Sequence, residues 1–469
     1  MKKNKLLLVI VLFIISLSLL CLCFFGIDPD YLWHIKAGEY FFNNGILRHD
    51  VFSWYMNGKY WMSHEWLFEM IIYSLKHVFG NLHIFIYCFT CICSLLLVLF
   101  FTNKDNYMKN IPFTMIWFFL FLIICVNVQV RPHLISYILL GLSIYLLYDC
   151  FRNKDSKKIY FLPIISIIWS NVHGGSSNLV YLLCILFIIG GLFNINLKKV
   201  EAKKISKVQI KRYLIVMVLC MIGVCINIHG FKMFIYPYTN MMNSTMLSNI
   251  SEWQPTSLND PLHYIYFILL LVIIGTMLIS KKKFELIDII LLAFCMYLGL
   301  KSIRFWFYTY IIMSYVVFNY VEKRRIDKGT EFAIGVLSVI FIGLFIMRSN
   351  NIFINDYSYL LNDNDIKEIK KNNPERLFNM YDYGGDLVYN DVLVFIDGRA
   401  DLYSEGNYKD YLDISTLKKN SVKLIDKYNF DYFLVDKNYP IYSYLYNNDN
   451  YELIYSRKNI LLYKKKDFS

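Results

Sequence analysis

The chain has 469 residues, of which 57% are hydrophobic, and its mean hydropathy is +0.41. This composition excludes an ordinary soluble enzyme and is typical of a polytopic membrane protein. The net charge of +12 does not indicate nucleic-acid binding, because the excess lies in residues 1–348, with 32 Lys and Arg against 17 Asp and Glu. Residues 349–469 carry 16 Lys and Arg against 19 Asp and Glu. The basic excess therefore lies in the apolar part of the chain, where it indicates which loops face the cytoplasm.

Eleven apolar segments are predicted to span a membrane, since about 20 apolar residues cross a hydrocarbon core of about 30 Å. The first is predicted to be a retained helix, because no small-residue cleavage site follows it. Alternate loops carry 23 basic residues on one side and eight on the other, which predicts a cytoplasmic N-terminus and places the first loop and the C-terminal region outside. The segments lie at about 6–25, 82–101, 111–128, 134–151, 159–172, 178–194, 213–228, 262–280, 286–300, 305–321 and 331–347.

The first outer loop, residues 27–80, is acidic and aromatic. Asp28 followed by Pro29 is typical of a helix N-cap and first helical position, and the helix is expected to run to about Phe42. Ser63 is the expected cap of a second helix, which would cover 64–78. Both helices are too short and too charged to span, so we expect them to lie in the membrane interface.

The C-terminal region is polar, lacks cysteine and is predicted to be a small α/β domain outside the membrane. The fold class is therefore an α-helical polytopic membrane protein with about 11 spans, divided into a transmembrane domain at 1–350 and an extracytoplasmic α/β domain at 351–469. In the latter, strands are expected at 393–397, 432–435, 451–455 and 460–463, and helices at 363–371 and 416–428. The last two strands flank residues 456–459 and are expected to form a hairpin.

The residues most suited to chemistry open the first loop. Asp30 and His34 are four residues apart on the same helix face. A carboxylate there could take a proton from an incoming hydroxyl group, and His34 could orient it. For Asp28, a structural role as helix cap is an equally good interpretation.

His64-Glu65 resembles the start of a zinc-protease motif, but the second histidine of that motif would fall on Phe68, so we reject it. Glu65 and Glu69 are also compatible with a single solvated helix face. No cofactor is predicted with certainty, although a divalent cation held by some of these carboxylates and histidines is an open alternative.

Cations at the outer ends of spans are candidates for binding a phosphate, since Arg offers two parallel donors. The structural alternative is ordinary snorkelling at a helix end. Asp397-Gly398-Arg399 and Tyr383-Gly384-Gly385-Asp386 read most simply as turns. The candidate substrate and lipid-phosphate residues are Arg131, His133, Arg304, Lys301, His64, Glu65, Asp50, His173, His229 and Glu252.

These motifs resemble those of the bacterial polytopic membrane proteins grouped with the GT-C glycosyltransferase superfamily. The resemblance runs from Met1 to about Asp410 and rests on the order of several short motifs. They are Asp-x-Asp-x-x-Trp-His at 28–34, His-Glu-Trp-Leu at 64–67, Arg-Pro-His at 131–133, Trp-Ser-Asn-Val-His-Gly at 169–174, Glu252-Trp253 and Phe-Ile-Asp-Gly-Arg at 395–399.

The resemblance implies transfer of a sugar from a polyprenyl-phosphate carrier to an acceptor of the cell envelope, with an Asp of the first loop as catalytic base. This role falls on Asp30 or Asp28, and we choose Asp30. The partners would be the lipid-linked donor, an envelope glycan, lipid or protein, and the bilayer of a bacterial plasma membrane. The alternative is a transporter or assembly protein for lipid-linked glycans that performs no transfer.

Overall fold

The computed structural model describes residues 2–24, 28–125, 129–241, 251–324, 328–353, 360–403 and 406–466. Parts of the predicted spans at 6–25 and 111–128 lie outside the described residues, as do the first residue of the predicted loop at 27–80 and the start of the predicted domain at 351–469.

The described part is mainly helical. Its helices in chain order are α1 (Lys2–Leu22), α2 (Tyr31–Asn44), α3 (Trp66–Phe79), α4 (His83–Thr102), α5 (Lys104–Lys109), α6 (Ile111–Ile124), α7 (His133–Arg152), α8 (Leu162–Val172), α9 (Leu179–Gly191), α10 (Lys207–Cys225), α11 (Phe231–Met241), α12 (Tyr264–Ile279), α13 (Leu286–Lys301), α14 (Trp306–Tyr320), α15 (Lys328–Phe353), α16 (Asp363–Asn372), α17 (Gly384–Tyr389), α18 (Ala400–Tyr403), α19 (Tyr408–Ser415), α20 (Ser421–Tyr428) and α21 (Ile441–Tyr446).

The strands form two small sheets. In the first, β1 (Ile195–Asn196) pairs antiparallel with β2 (Val200–Ala202), and β2 pairs parallel with β3 (Phe284–Glu285). The second contains β4 (Leu377–Asn379), β5 (Tyr432–Asp436), β6 (Tyr451–Arg457) and β7 (Ile460–Lys465) in the order β4-β5-β7-β6.

The chain divides into two compact units. The helical unit contains Met1–Gly26, Asn81–Thr239 and Ile250–Ile354. The mixed unit contains Ile27–Gly80, Asn240–Asn249 and Asn355–Ser469. Residues 27–80, which the sequence analysis grouped with the spans, thus cluster by their contacts with the C-terminal region.

The helical unit is built around α14, in which every residue from Trp306 to Tyr320 is buried. The helix α14 packs against α7 and α13, while α1 packs on α15 and α8 packs on α10. Each of the eleven predicted spans coincides with a helix, but the count of eleven transmembrane helices is not confirmed. Seven stretches of the described residues are long and apolar enough to cross a membrane: Lys5–Leu22, Trp66–Thr102, His133–Arg152, Gly174–Gly191, Lys207–Cys225, Pro261–Ile279 and Gly329–Arg348.

In the mixed unit, the four-stranded sheet carries the core of the C-terminal region. Strand β4 pairs parallel with β5, and β7 lies antiparallel between β5 and β6. The predicted hairpin is confirmed, because β6 and β7 are joined at Lys458, which has φ 50°. Of the predicted helix at 416–428, only α20 (Ser421–Tyr428) is helical, because residues 416–420 form the turn that follows α19.

The predicted strand at 393–397 is not a strand. Its pairing along the backbone is limited to an isolated bridge between Val394 and Ser53. Two buried asparagine side chains bond the rest of this backbone. Asn379 Oδ1 accepts from Phe395 N at 2.8 Å, Asn379 Nδ2 donates to Ile396 O at 2.7 Å, and Asn407 Nδ2 donates to Phe395 O at 2.7 Å. Amide side chains here satisfy the backbone groups that a neighbouring strand would have satisfied.

The two first-loop helices are present, with different starts from those predicted. The helix α2 begins at Tyr31, after Pro29, and ends before Gly45 at φ 83°. Ser63 does not cap α3, since its Oγ donates to Glu69 Oε2 at 2.7 Å instead. A close approach joins the two helices, because a Cβ at Gly38 would collide with the backbone oxygen of Glu69.

Candidate functional site

The acidic segment before α2 holds its two aspartates in different surroundings. Asp28 is 2% exposed, and its Oδ1 accepts from the backbone N–H of Asp30 at 2.8 Å. This bond makes a turn of the kind that aspartate side chains stabilise. Asp30 is only partly buried. Of the two candidate bases, Asp30 is therefore the one that solvent reaches.

Glycines of the C-terminal region lie against this segment. A Cβ at Gly385 would collide with the backbone oxygen of Pro29, and a Cβ at Gly398 would collide with the carboxylate of Asp30. Gly384 in turn abuts Asp397, whose Cα lies 2.5 Å from the position of a Cβ. The interpretation of 383–386 and 397–399 as plain turns is therefore corrected, because the glycines of both motifs are close-packing positions near Asp30.

The imidazole ring of His34 is held between two glutamates, and the backbone N–H of His34 donates to the backbone oxygen of Asp30 at 3.2 Å. Its Nε2 lies 3.5 Å from Glu65 Oε2, and its Nδ1 lies 3.4 Å from Glu69 Oε1. His34 and Glu69 are 3% and 0% exposed, and Glu65 is 7% exposed. The interpretation of Glu65 and Glu69 as a solvated helix face is therefore wrong, because both carboxylates turn inward to the imidazole ring.

The network continues towards solvent through His64. Its Nε2 lies 3.3 Å from Glu65 Oε1, and its Nδ1 lies 3.9 Å from Asp401 Oδ2. Burial lowers the pKa of His64, but the negative charges of Glu65, Asp401 and Glu69 outweigh burial and raise the pKa above its ordinary value. The arrangement is a row of alternating imidazoles and carboxylates that can hold and pass protons.

Asp50 lies in a buried ion-pair cluster. Its Oδ1 accepts from Arg399 Nη1 at 2.5 Å, and Arg399 Nη2 donates to Asp397 Oδ2 at 2.6 Å. Tyr403 Oη donates to the same Asp397 oxygen at 2.8 Å, and the guanidinium lies 4.8 Å from the ring centroid of Trp61. With Asp50 and Asp397 0% exposed and Arg399 1% exposed, these contacts favour a structural role for Asp50. Its assignment to substrate binding stays a prediction.

In the helical unit, three of the candidate substrate and lipid-phosphate residues meet. Arg304 Nε donates to His133 Nε2 at 2.8 Å, and Arg304 Nη2 lies 3.5 Å from His173 Nε2. The two imidazole rings are 4.3 Å apart. The hydroxyls of Ser136 and Ser176 each lie 2.8 Å from His173 Nδ1 and orient that ring. These contacts, rather than simple snorkelling, hold Arg304.

Arg131 forms an ion pair with Glu252, which lies on the segment 251–253 of the same unit. Arg131 Nη1 lies 2.9 Å from Glu252 Oε1, and both side chains are partly exposed. The neighbouring Trp253 ring lies 4.8 Å from the guanidinium carbon of Arg304, a cation–π contact. Arg131, His133, His173, Glu252 and Arg304 therefore form one cluster, with positive and hydrogen-bonding groups suited to an anion.

The remaining candidates of the helical unit lie differently. Lys301 is exposed, and its Nζ is 5.9 Å from the ring centroid of Tyr297. His229 is 8% exposed, and its backbone N–H donates to Asn227 Oδ1 at 3.0 Å. Within the described ranges, no group of three or more His, Cys, Asp or Glu side chains is arranged to hold a metal ion.

Several contributors were missed by the sequence analysis. Ser136 lies three residues after His133 on α7, a spacing that could have indicated a shared helix face. Asp401 gave no usable signal, since an acidic residue after a turn is ordinary, and Trp33 was noted only as part of the motif at 28–34 without a role of its own. Their neighbours come from distant parts of the chain.

The protein is a multi-pass membrane protein with a helical unit and a small mixed α/β unit. No family model matches its sequence, and no curated protein shows significant similarity to it. Among solved structures, it is similar to the oligosaccharyltransferase of Archaeoglobus fulgidus tethered to an acceptor peptide with an NVT sequon, at 12% identity and a TM-score of 0.54. That match covers 93% of this chain and 69% of the other.

The apo form of the same archaeal enzyme matches with 13% identity and a TM-score of 0.50, over 92% of this chain and 69% of the other. At these identities the likeness establishes the fold alone, which this chain shares with the archaeal oligosaccharyltransferase.

Proposed function

We propose that the protein is an inverting glycosyltransferase that moves a sugar from a polyprenyl-phosphate carrier to a hydroxyl group of a cell-envelope acceptor outside the cytoplasm. The observation that carries this proposal is the partly exposed carboxylate of Asp30, set in an acidic first loop of a GT-C fold. The structural neighbour is named as an oligosaccharyltransferase with an acceptor peptide, and we extend transfer chemistry to this chain by analogy of fold.

In the proposed reaction, the Asp30 carboxylate removes the proton of the acceptor hydroxyl. The oxygen then forms a bond to the anomeric carbon of the sugar from the face opposite the carrier. The bond between that carbon and the phosphate oxygen breaks, and the carrier leaves as a phosphate that keeps the electron pair. General base catalysis of this kind contributes typically 10²–10⁴-fold to a rate.

The cluster of Arg131, His133, His173, Glu252 and Arg304 supports the donor half of the proposal through Arg304, since Arg131 is paired with Glu252. Arg304 is held by ring nitrogens rather than by a carboxylate among its observed contacts, so it keeps a positive charge that a phosphate can use. Preorganised donors that meet developing charge are usually the largest single contribution to catalysis. The carrier tail would lie in the apolar surface of the helical unit, and the C-terminal region would cover or select the acceptor.

The test uses a strain that lacks the chromosomal gene and carries either the wild type or the variant Asp30→Asn on a plasmid. Surface glycans and lipid-linked sugars are measured by mass spectrometry, and membrane levels of the protein are checked by immunoblot. We expect the deletion to remove one sugar from the envelope and to accumulate its lipid-linked precursor. The wild type restores the sugar, and Asp30→Asn lowers the ratio of product to precursor at least about 100-fold.

Asp28→Asn serves as the matched control, because Asn retains the oxygen that accepts from the backbone of residue 30. If Asp28→Asn abolishes the product while Asp30→Asn restores it, Asp28 is the base. If both variants restore the envelope sugar fully, no carboxylate of this segment acts as base, and a transporter or assembly role replaces the transferase proposal.

A further inference from the structure

Gly398 has no room for a side chain, and the reason is Asp30. A Cβ built on Gly398 would overlap the Asp30 carboxylate, and it would lie 2.9 Å from the Nε1 atom of Trp33. Both obstacles are the ends of side chains from the start of the first-loop helix. The carboxylate and the indole N–H therefore converge over a single glycine.

The backbone under Asp30 is held on both sides of that glycine. Asp397 accepts from the backbone N–H of Arg399 at 2.9 Å and from its Nε at 2.9 Å, while Asp50 binds the other end of the guanidinium. The rings of Phe52 and Trp61 lie 5.1 and 4.8 Å from the guanidinium carbon. A charge that is buried and fully paired is costly to displace, so this segment forms a rigid support.

Trp33 supplies the second element. Its side chain is 5% exposed, and its Nε1 has no hydrogen-bond partner among the groups that the structure describes. Buried indole N–H groups usually find an acceptor. The ring itself is fixed by His34, at 3.6 Å between centroids, and by Trp61, at 5.9 Å. The N–H is thus held in place beside the carboxylate.

We propose that Gly398 and Trp33 are positioning residues for Asp30: the absent side chain lets the carboxylate rest on the fixed 397–399 backbone, and the indole N–H, unpartnered among the described residues, is the donor that meets the carboxylate as it turns towards the acceptor hydroxyl. This inference rests on the proposed function, in which Asp30 is the base. A shift of about 1 Å in a catalytic group can cost 10²-fold in rate, and an N–H beside a carboxylate favours its ionised form.

The experiment uses the complemented deletion strain with Gly398→Ala, Trp33→Phe and the control Gly406→Ala. A Cβ at Gly406 meets the flexible thioether of Met56, at 3.0 Å from its sulfur, so the control adds the same methyl group far from Asp30 in sequence and contacts. The ratio of glycan product to lipid-linked precursor is measured at external pH 5.5 and 7.5. The thermal midpoint of each full-length protein is measured in detergent.

We expect Gly398→Ala to lower the ratio at least tenfold at both pH values, with a thermal midpoint like that of Gly406→Ala. Trp33→Phe keeps an aromatic ring but loses the N–H, so we expect a loss of at least threefold at pH 5.5 and little change at pH 7.5. A purely structural tryptophan would not produce this pH dependence.

A wild-type ratio for Gly398→Ala at both pH values overturns the inference while leaving the proposed function intact. If Gly398→Ala fails to fold, Trp33→Phe decides, and an unchanged pH profile for that variant overturns the inference. Full activity of Asp30→Asn would instead overturn the proposed function, because that variant lacks the proposed base.

Discussion

At the scale of single residues, the surroundings of a carboxylate determine what it can do. Asp28, Asp30, Asp50 and Asp397 lie in one unit, yet Asp50 and Asp397 neutralise a buried arginine, and Asp28 stabilises a turn. Asp30 alone of these four is partly exposed. Residue type and spacing could nominate all of them, but burial separates the candidate base from the structural acids.

Asp386 gives a prediction about pH and stability. Burial raises its pKa to about 7, with a further contribution from Asp365, while hydrogen bonds from the backbone of Leu361 and Leu360 lower it. Because this folded-state pKa lies above the ordinary value of 3.8, its contribution to stability is fully present below about pH 4 and is lost as the pH rises through 7.

The ionised side chain should cost on the order of 4 kcal/mol at pH 8, at 1.36 kcal/mol per pKa unit. We therefore expect Asp386→Asn, which cannot ionise, to raise the thermal midpoint at pH 8 and to leave it nearly unchanged at pH 4. Scanning fluorimetry of the full-length protein across this range checks the prediction. An equal effect at both pH values would show that the charge of Asp386 is not responsible.

At the level of secondary-structure elements, the side chains of Asn379 and Asn407 form hydrogen bonds that a neighbouring strand would otherwise form. Asn379 bonds the backbone of Phe395 and Ile396, and the segment that carries Asp397, Gly398 and Arg399 follows directly. The position of the proposed support for Asp30 therefore depends on the end of β4, where Asn379 lies.

We expect Asn379→Ala to destabilise this segment by about 3 kcal/mol, because it leaves two buried backbone groups without partners at about 1–3 kcal/mol each. Hydrogen exchange followed by mass spectrometry should show residues 393–397 exchanging roughly 100-fold faster. Asn438→Ala is the control, since Asn438 is exposed and a surface change of this kind costs within about 0.5 kcal/mol. Unchanged protection of 393–397 in Asn379→Ala would contradict the assigned role.

At the scale of the whole molecule, the distribution of basic residues predicts which loops face the cytoplasm. The chain has no cysteine beyond Cys295, so a cysteine introduced into the C-terminal region is unique there. Asn438 and Lys203 are both exposed and lie in regions predicted to be on opposite sides of the membrane.

We expect a membrane-impermeant maleimide to label Asn438→Cys in intact cells and to label Lys203→Cys only after permeabilisation. The reaction of the wild type, whose own cysteines all lie in apolar stretches, is subtracted as background. The opposite pattern of labelling would reverse the predicted orientation and place Asp30 on the cytoplasmic side.

Local sequence patterns were sufficient to locate the helices of the helical unit, because an apolar run of about 15–20 residues has few alternatives to a helix when backbone groups must be satisfied without water. It also located the hairpin at Lys458 and nominated the residues that meet around Arg304 and His133. These are local properties of composition and spacing, and they need no knowledge of distant contacts.

Contacts between distant segments were needed to show which acids are buried and that residues 27–80 cluster with the C-terminal region. They also show that Gly384, Gly385 and Gly398 are close-packing positions rather than plain turns. Asp50 and Arg399 lie 349 positions apart, and Asn379 replaces a strand partner through its side chain. Periodicity along the chain carries no information about such pairs, because their bonds depend on how separate segments pack in space.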